Sequence, residues 1–212
     1  MIFLKPYMRV VTALVGIGSL IATALLIYIL EPVEGAGADG VRSHGSVALA
    51  LSRYFTILTN TIISFLLLAA AIRGYWKSWS LYTGATVWIV LVGVIYHYML
   101  AAMHNPTGPA AITNHIHHSF IPVAAFIIWL VTRPRDYIDA KAPLYWLIFP
   151  FLYTLYTIAR VEIFGDIYPY PFADPTQIGW SNFIVTQGVL IMVFLFAGVV
   201  FRWVNNWLHG RP

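Results

Sequence analysis

The chain has 212 residues, of which 60% are hydrophobic and only 9% are Asp, Glu, Lys or Arg. A soluble domain carries roughly a quarter charged residues, so this composition marks a membrane protein and excludes an ordinary soluble enzyme. The lack of cysteine excludes disulfides, thiolate metal sites and cysteine nucleophiles, and the net charge of +4 reports topology before it reports nucleic acid.

Six apolar segments reach the ~20 residues that a bilayer crossing needs. They cover residues 10–30, 47–72, 79–103, 112–132, 144–163 and 182–204. Open strand edges cannot sit in hydrocarbon, and no alternating barrel pattern is visible, so each segment is expected to be helical. The expected fold is an all-α, six-helix transmembrane bundle forming one domain over residues 1–212. Residues 1–9, with Lys5 and Arg9, resemble the start of a signal peptide, and Ala36-Gly-Ala38 resembles a cleavage site. The apolar run is too long for one, however, and Glu31 and Glu34 follow it, so the first span is expected to stay.

Charge then orients the bundle. Lys5, Arg9, Arg73, Lys77, Arg133, Arg135, Lys141, Arg202 and Arg211 fall on one side, against Arg42, Arg53 and Arg160 on the other. The positive-inside rule makes both termini cytoplasmic, in the inner membrane if the cell is bacterial. The outer loops are then residues 31–46, which are glycine-rich, 104–111 and 164–181. The last contains Tyr168-Pro-Tyr-Pro-Phe172, whose prolines oppose helix and whose aromatics suit the interface. Tyr168, Tyr170, Phe172 and Asp174 are expected to form a lid. No internal repeat supports an inverted-repeat transporter.

Depth follows from topology. Arg53, Thr56 and Asn60 are spaced to share one face of the second span. Tyr96 and His97 close the third span, and Asn114, His115, His117 and His118 open the fourth. Tyr153, Thr157 and Arg160 share a face near the end of the fifth, and Gln187 lies early in the sixth. At ~1.5 Å per residue, Thr56 lies roughly 13 Å and His118 roughly 9 Å below the outer ends of their spans. A polar pocket in the outer half of the membrane is expected. His115 and His118 are three apart and share a face, from which His117 diverges. Pro122 has no N–H for the His118 carbonyl, so a kink is expected there.

A threonine hydroxyl becomes a useful nucleophile when a positioned base takes its proton, and Thr56 has the depth to meet one. Arg53 or Arg160 could then stabilise an oxyanion or hold a carboxylate. Plainer readings compete. Thr56 could bond its own i−4 carbonyl, His115 and His118 could tie helices together, and the arginines could pair with Glu162 or snorkel. His97, His115 and His118 could also bind a metal, or a haem between spans, although no carboxylate adjoins them. No metal and no cofactor are expected.

Three stretches carry a family resemblance: Tyr54-Phe-Thr56, Asn114-His115 with His118 and Pro122, and Tyr168-Pro-Tyr-Pro-Phe172-Ala-Asp174. Together they resemble the androgen-induced membrane hydrolase family, whose members include small bacterial six-span proteins. The animal members are intramembrane threonine hydrolases of fatty acid esters of hydroxy fatty acids. The resemblance implies that Thr56 is the nucleophile and His118 the catalytic histidine. This sequence departs from the animal pattern in placing His117 beside His118 and in a shorter spacing from His to Pro. The expected function is hydrolysis of a lipid ester, with membrane lipids around it and no nucleic-acid partner. The alternative is a non-catalytic lipid- or small-molecule-binding membrane protein, or a transporter.

Overall fold

The computed structural model describes residues 2–30, 44–132 and 136–208. The glycine-rich stretch, Glu31, Glu34, the Ala36-Gly-Ala38 sequence, Arg42, Arg133, Arg135 and Arg211 lie outside them. Among the described residues, six helices are long and apolar enough to cross a membrane. The chain divides into two compact units, residues 1–134 and 135–212.

Among the described residues, the first unit is a bundle of four long helices and one short one. Its helices are α1 (Pro6–Ile29), the short α2 (His44–Leu51), α3 (Phe55–Arg73), α4 (Trp79–Leu100) and α5 (Gly108–Thr132). α1 packs on α3, α3 on α4, α4 on α5, and α5 returns to α1. The α1–α3 contact is close because Gly16 has no side chain. A Cβ there would meet the Ser64 carbonyl and Leu68 Cγ at 3.0 Å, and small residues allow such approach where no hydrophobic effect drives helices together. Arg9 caps α3, its guanidinium donating to the carbonyls of Ala71 at 2.9 Å and Ile72 at 3.1 Å. Those carbonyls lack helical partners and carry the negative end of the helix dipole. The same end holds a two-residue antiparallel pair, β1 (Ile2–Phe3) with β2 (Tyr75–Trp76). Trp76 stacks there on Tyr82 at 3.8 Å, and the Tyr82 hydroxyl donates to the Ala125 carbonyl at 3.1 Å.

One expected span is not continuous. The apolar stretch 47–72 breaks at Ser52-Arg53-Tyr54, so α2 ends at Leu51 and α3 starts at Phe55. Arg53 Nε donates to the Ala50 carbonyl at 2.8 Å, closing α2 instead of continuing into α3. Val47, Leu51 and Ile57 form a buried cluster against Leu26, Ile27 and Tyr54, which folds α2 onto the ends of α1 and α3.

The second unit contains α6 (Ala142–Phe164), the short α7 (Pro175–Ile178) and α8 (Trp180–Leu208). α6 is interrupted at Leu147, four residues after Pro143 and three before Pro150. Pro150 has no N–H and its ring crowds the carbonyl four residues back, which accounts for the break. The far end of α8 clasps the segment before α6. Arg202 Nε donates to the carbonyls of Ile138 and Asp139 at 3.1 and 3.0 Å. Asn206 exchanges two hydrogen bonds of 3.0 Å with the Ile138 main chain.

Candidate functional site

Two wide turns organise the first unit's polar residues. Residues 116–120 of α5 form a π-turn, in which the Ile121 N–H reaches back five residues to Ile116. The kink expected from Pro122 takes this form: the turn absorbs the missing N–H by widening. Residues 96–100 of α4 form a second π-turn, with the Ala101 N–H on the Tyr96 carbonyl at 2.8 Å. Such turns sit often at functional sites because they redirect side chains. Gly93 lets the two helices meet. A Cβ on it would lie 3.0 Å from both the His118 carbonyl and Pro122 Cβ.

The turns turn their polar side chains together. The Tyr96 ring lies on the His118 imidazole, with centroids 3.8 Å apart and planes 19° apart. Asn114 Nδ2 donates to the Tyr96 hydroxyl at 2.6 Å. His118 Nδ1 is 3.1 Å from the Asn114 carbonyl oxygen. That oxygen can only accept, so the network assigns the proton to Nδ1 and leaves Nε2 as a lone pair. The lone pair faces Thr56 Oγ1 at 3.3 Å. This is long for a hydrogen bond, as hydroxyl–imidazole pairs often are before substrate binds.

Thr56 escapes the usual fate of a threonine in a membrane helix. Thr59 and Thr61 donate to their own i−4 carbonyls, Phe55 and Ile57, at 2.7 and 2.8 Å. Thr56 stands in the first turn of α3, and its i−4 residue, Ser52, precedes the helix. The hydroxyl therefore turns to His118.

Asn60, fully buried, joins the two strands of this arrangement. Its Nδ2 donates to the Thr56 carbonyl at 2.9 Å and the His117 carbonyl at 3.3 Å, and its Oδ1 accepts from Ser19 at 3.5 Å. Both amide hydrogens are thus used in holding main chain, so Asn60 positions the pair and does not supply a free donor. His117 takes a different partner from its neighbour. It is 1% exposed, and its Nε2 lies 3.0 Å from Thr23 Oγ1 on α1. This second threonine–histidine pair is unlike the first, because Thr23 also donates to the Ser19 carbonyl at 3.1 Å. Its single proton has two acceptors, whereas that of Thr56 faces His118 alone among the described hydrogen bonds.

Other expected neighbours do not converge. Arg53 precedes α3, so it does not share the helix face of Thr56 and Asn60. His115 is exposed: the wider π-turn rotates His118 away from the face that a three-residue offset would have given them both. His97, also exposed, meets Ser119 Oγ at 2.9 Å. Consequently His97, His115 and His118 do not form a metal-ligating trio, and no group of three His, Asp or Glu suited to a metal occurs among the described residues.

In the second unit the candidate residues make local bonds. Thr157 donates to the Tyr153 carbonyl at 3.0 Å, and Gln187 Oε1 accepts from Thr154 at 3.0 Å. Arg160 pairs with Asp166, with Nε–Oδ2 2.7 Å, and donates to the Tyr156 hydroxyl at 2.8 Å. Pairing with Glu162 was one of the plainer readings. Residues two apart point to opposite sides of a helix, and Gly165, in the left-handed region at φ 66°, turns the chain so that Asp166 reaches back. Glu162 instead accepts from the buried Tyr168 hydroxyl at 3.4 Å. Burial, then the Glu162 charge, raise the Tyr168 phenol above its ordinary value. Tyr170 and Phe172 stack at 5.4 Å. Asp174 caps α7, accepting from Thr176 N–H at 2.9 Å, Thr176 Oγ1 at 2.6 Å and Gln177 Nε2 at 2.7 Å. Burial works to raise the Asp174 carboxyl, but these donors outweigh it and hold it below the usual carboxylate value.

Sequence reading passed over Ser19, Thr23 and Ser119. The first two are four residues apart on the first span, so they share a face, and this spacing was the available signal. Comparison with protein-family models, curated proteins and solved structures finds no match to this chain.

Proposed function

We propose that this protein is an integral membrane hydrolase of lipid esters, with Thr56 as nucleophile and His118 as base. The observation that carries the reading is the Nε2 lone pair of His118 facing Thr56 Oγ1 at 3.3 Å, with Nδ1–H held by the Asn114 carbonyl. In the reaction, Thr56 Oγ attacks the ester carbonyl carbon as its proton passes to His118 Nε2. The tetrahedral intermediate collapses, the acyl–oxygen bond breaks, and the alcohol leaves with that proton. Water, deprotonated by the same nitrogen, then releases the fatty acid and restores Thr56. The position of Thr56 in the first turn of α3 suits the developing oxyanion, because the helix dipole favours negative charge there.

Several features support a lipid ester as substrate. The site lies among helices apolar enough to span a membrane, where acyl chains are the abundant neighbours. The resemblance to the androgen-induced membrane hydrolases points to fatty acid esters of hydroxy fatty acids. Arg9 binding the end of α3 that carries Arg73 supports one basic, cytoplasmic side for the N-terminus and the second loop.

A competing reading, a lipid-binding protein or transporter, is favoured by the burial of Thr56, which is 8% exposed. Purified protein in nanodiscs, given a long-chain fatty acid ester of a hydroxy fatty acid, separates the two. Hydrolysis that disappears in Thr56→Ala and in His118→Ala supports the enzyme. Wild-type turnover in both variants would refute it.

A further inference from the structure

His118 has a base's geometry but no acid behind it. A serine-type triad holds its histidine with a buried carboxylate, which fixes the tautomer and ring orientation. No Asp or Glu occurs in residues 2–30 or 44–132, the described part of the first unit, and Nδ1 of His118 bonds a main-chain carbonyl. A carbonyl fixes the tautomer. It does not fix the ring plane, since the imidazole can swing about a single hydrogen bond.

We infer that Tyr96 is the positioning residue that fixes that plane, held in turn by the Asn114 side chain, so that Asn114 and Tyr96 together take the place of the triad acid. Three contacts close a loop. The Asn114 carbonyl holds His118 Nδ1 at 3.1 Å, the Asn114 amide holds the Tyr96 hydroxyl at 2.6 Å, and the Tyr96 ring covers the His118 ring at 3.8 Å. Tyr96 is itself 6% exposed, and it sits in a π-turn that sets its direction. With one face covered and one edge tied, the Nε2 lone pair can point only along the remaining edge, where Thr56 Oγ1 lies. The aromatic face also favours a positive ring over a neutral one, which matters in the step where His118 holds the proton from Thr56. Tyr96 touches neither substrate nor the reacting hydroxyl, so its action is through His118.

This inference rests on the proposed hydrolase reading for its kinetic arm, and a second arm stands without it. In the kinetic arm, Tyr96→Leu lowers kcat roughly 10- to 100-fold, the size expected of a misdirected catalytic group, with KM within about threefold. Tyr96→Phe keeps the ring and loses only its hydroxyl's bond to Asn114, so kcat falls less than in Tyr96→Leu. Asn114→Ala removes the same bond from the other side, keeps the main-chain carbonyl and the ring, and lowers kcat by a similar amount. In the second arm, NMR of ring-labelled histidine in nanodiscs reads the orientation of the His118 ring, as one sharp set of signals with Nδ1–H in wild type. In Tyr96→Leu the signals broaden or split between ring orientations while Nδ1 keeps its proton, and in Tyr96→Phe and Asn114→Ala they do so to a smaller degree. Equal kcat in wild type and Tyr96→Leu overturns the inference, as does a Tyr96→Phe defect as large as that of Tyr96→Leu. If Tyr96→Leu does not fold, Asn114→Ala with wild-type kcat and an unchanged His118 signal overturns it. Should wild type hydrolyse nothing, the hydrolase reading fails, and the NMR arm alone decides whether Tyr96 orients His118.

Discussion

Residues 2–30 and 44–132 contain six histidines and no carboxylate, whereas residues 136–208 contain five carboxylates and no histidine. The two units handle polar groups among apolar helices accordingly. In the first, neutral groups bond between helices: Thr56 to His118, Thr23 to His117, Asn60 to two main chains. In the second, charges stay near helix ends and bond locally, Arg160 to Asp166 past α6 and Asp174 at the start of α7. Physics separates the two solutions. A neutral imidazole or amide can be buried at the cost of its hydrogen bonds alone, but a carboxylate must keep several donors or its pairing cation. A proton-transfer site inside a bundle is therefore easiest to build from histidine, threonine and asparagine, and the first unit is built that way.

The sharpest break of this comparison is between two threonines. Thr56→Ala should lower ester hydrolysis by about 10³-fold or more, while Thr157→Ala, which removes only a bond to the Tyr153 carbonyl, should leave turnover within twofold. Matched losses would mean that the local bond and the interhelical one are equivalent. Among the histidines, His118→Ala should cost roughly 10²- to 10⁴-fold in kcat, the worth of a general base. His115→Ala, at an exposed position, should cost nothing measurable in the same assay.

Glycines give a structural version of the contrast. A Cβ on Gly93 would meet the His118 carbonyl and Pro122 at 3.0 Å, whereas nothing lies within 4 Å of one on Gly188 in α8. Gly93→Ala should destabilise the protein by about 1–3 kcal/mol through overpacking. Gly188→Ala should be neutral or stabilising by up to about 1 kcal/mol from helix propensity. Thermal unfolding in detergent compares them directly.

A smaller effect is expected from Asp174. Its carboxyl is held below the ordinary value, so the charged, capping form contributes stability above roughly pH 4. That contribution is lost as pH falls through the lowered value. Asp174→Asn, which still caps α7, should lose less stability than wild type between about pH 5 and pH 3. Asp174→Ala should cost about 0.5–2 kcal/mol at neutral pH by removing the cap. No comparable acid sensitivity from carboxylates should arise in the described part of the first unit. Limited proteolysis across that pH range, read separately on peptides from each unit, checks both statements.

Much of this was legible in the chain. Long apolar runs gave six helices, because a helix is the form that satisfies its backbone without outside partners. The juxtaposition of Thr56 with His118 was expected from their levels and from resemblance. Other placements failed for identifiable reasons. The break at Ser52-Arg53-Tyr54 is invisible in hydropathy, since apolar residues flank it on both sides, and it removed Arg53 from the face of Thr56. His115 was paired with His118 on the assumption of a regular helix, which the π-turn at 116–120 does not obey. Glu162 was weighed as a partner for Arg160 without allowing for the reversal at Gly165 that delivers Asp166.

The sequence by itself determined the composition of the bundle: which segments are apolar enough to span, and that residues 44–132 offer imidazole, hydroxyl and amide side chains but no carboxylate. These follow from transfer free energy and backbone satisfaction, which act segment by segment. Tertiary structure alone decided which hydroxyl meets which imidazole. Thr56, Thr59 and Thr61 are chemically alike, as are His117 and His118, and helix periodicity offers each several partners. The choice came from where α3 begins, from two π-turns that redirect Tyr96 and His118, and from the bare Cα of Gly93 that lets those turns touch.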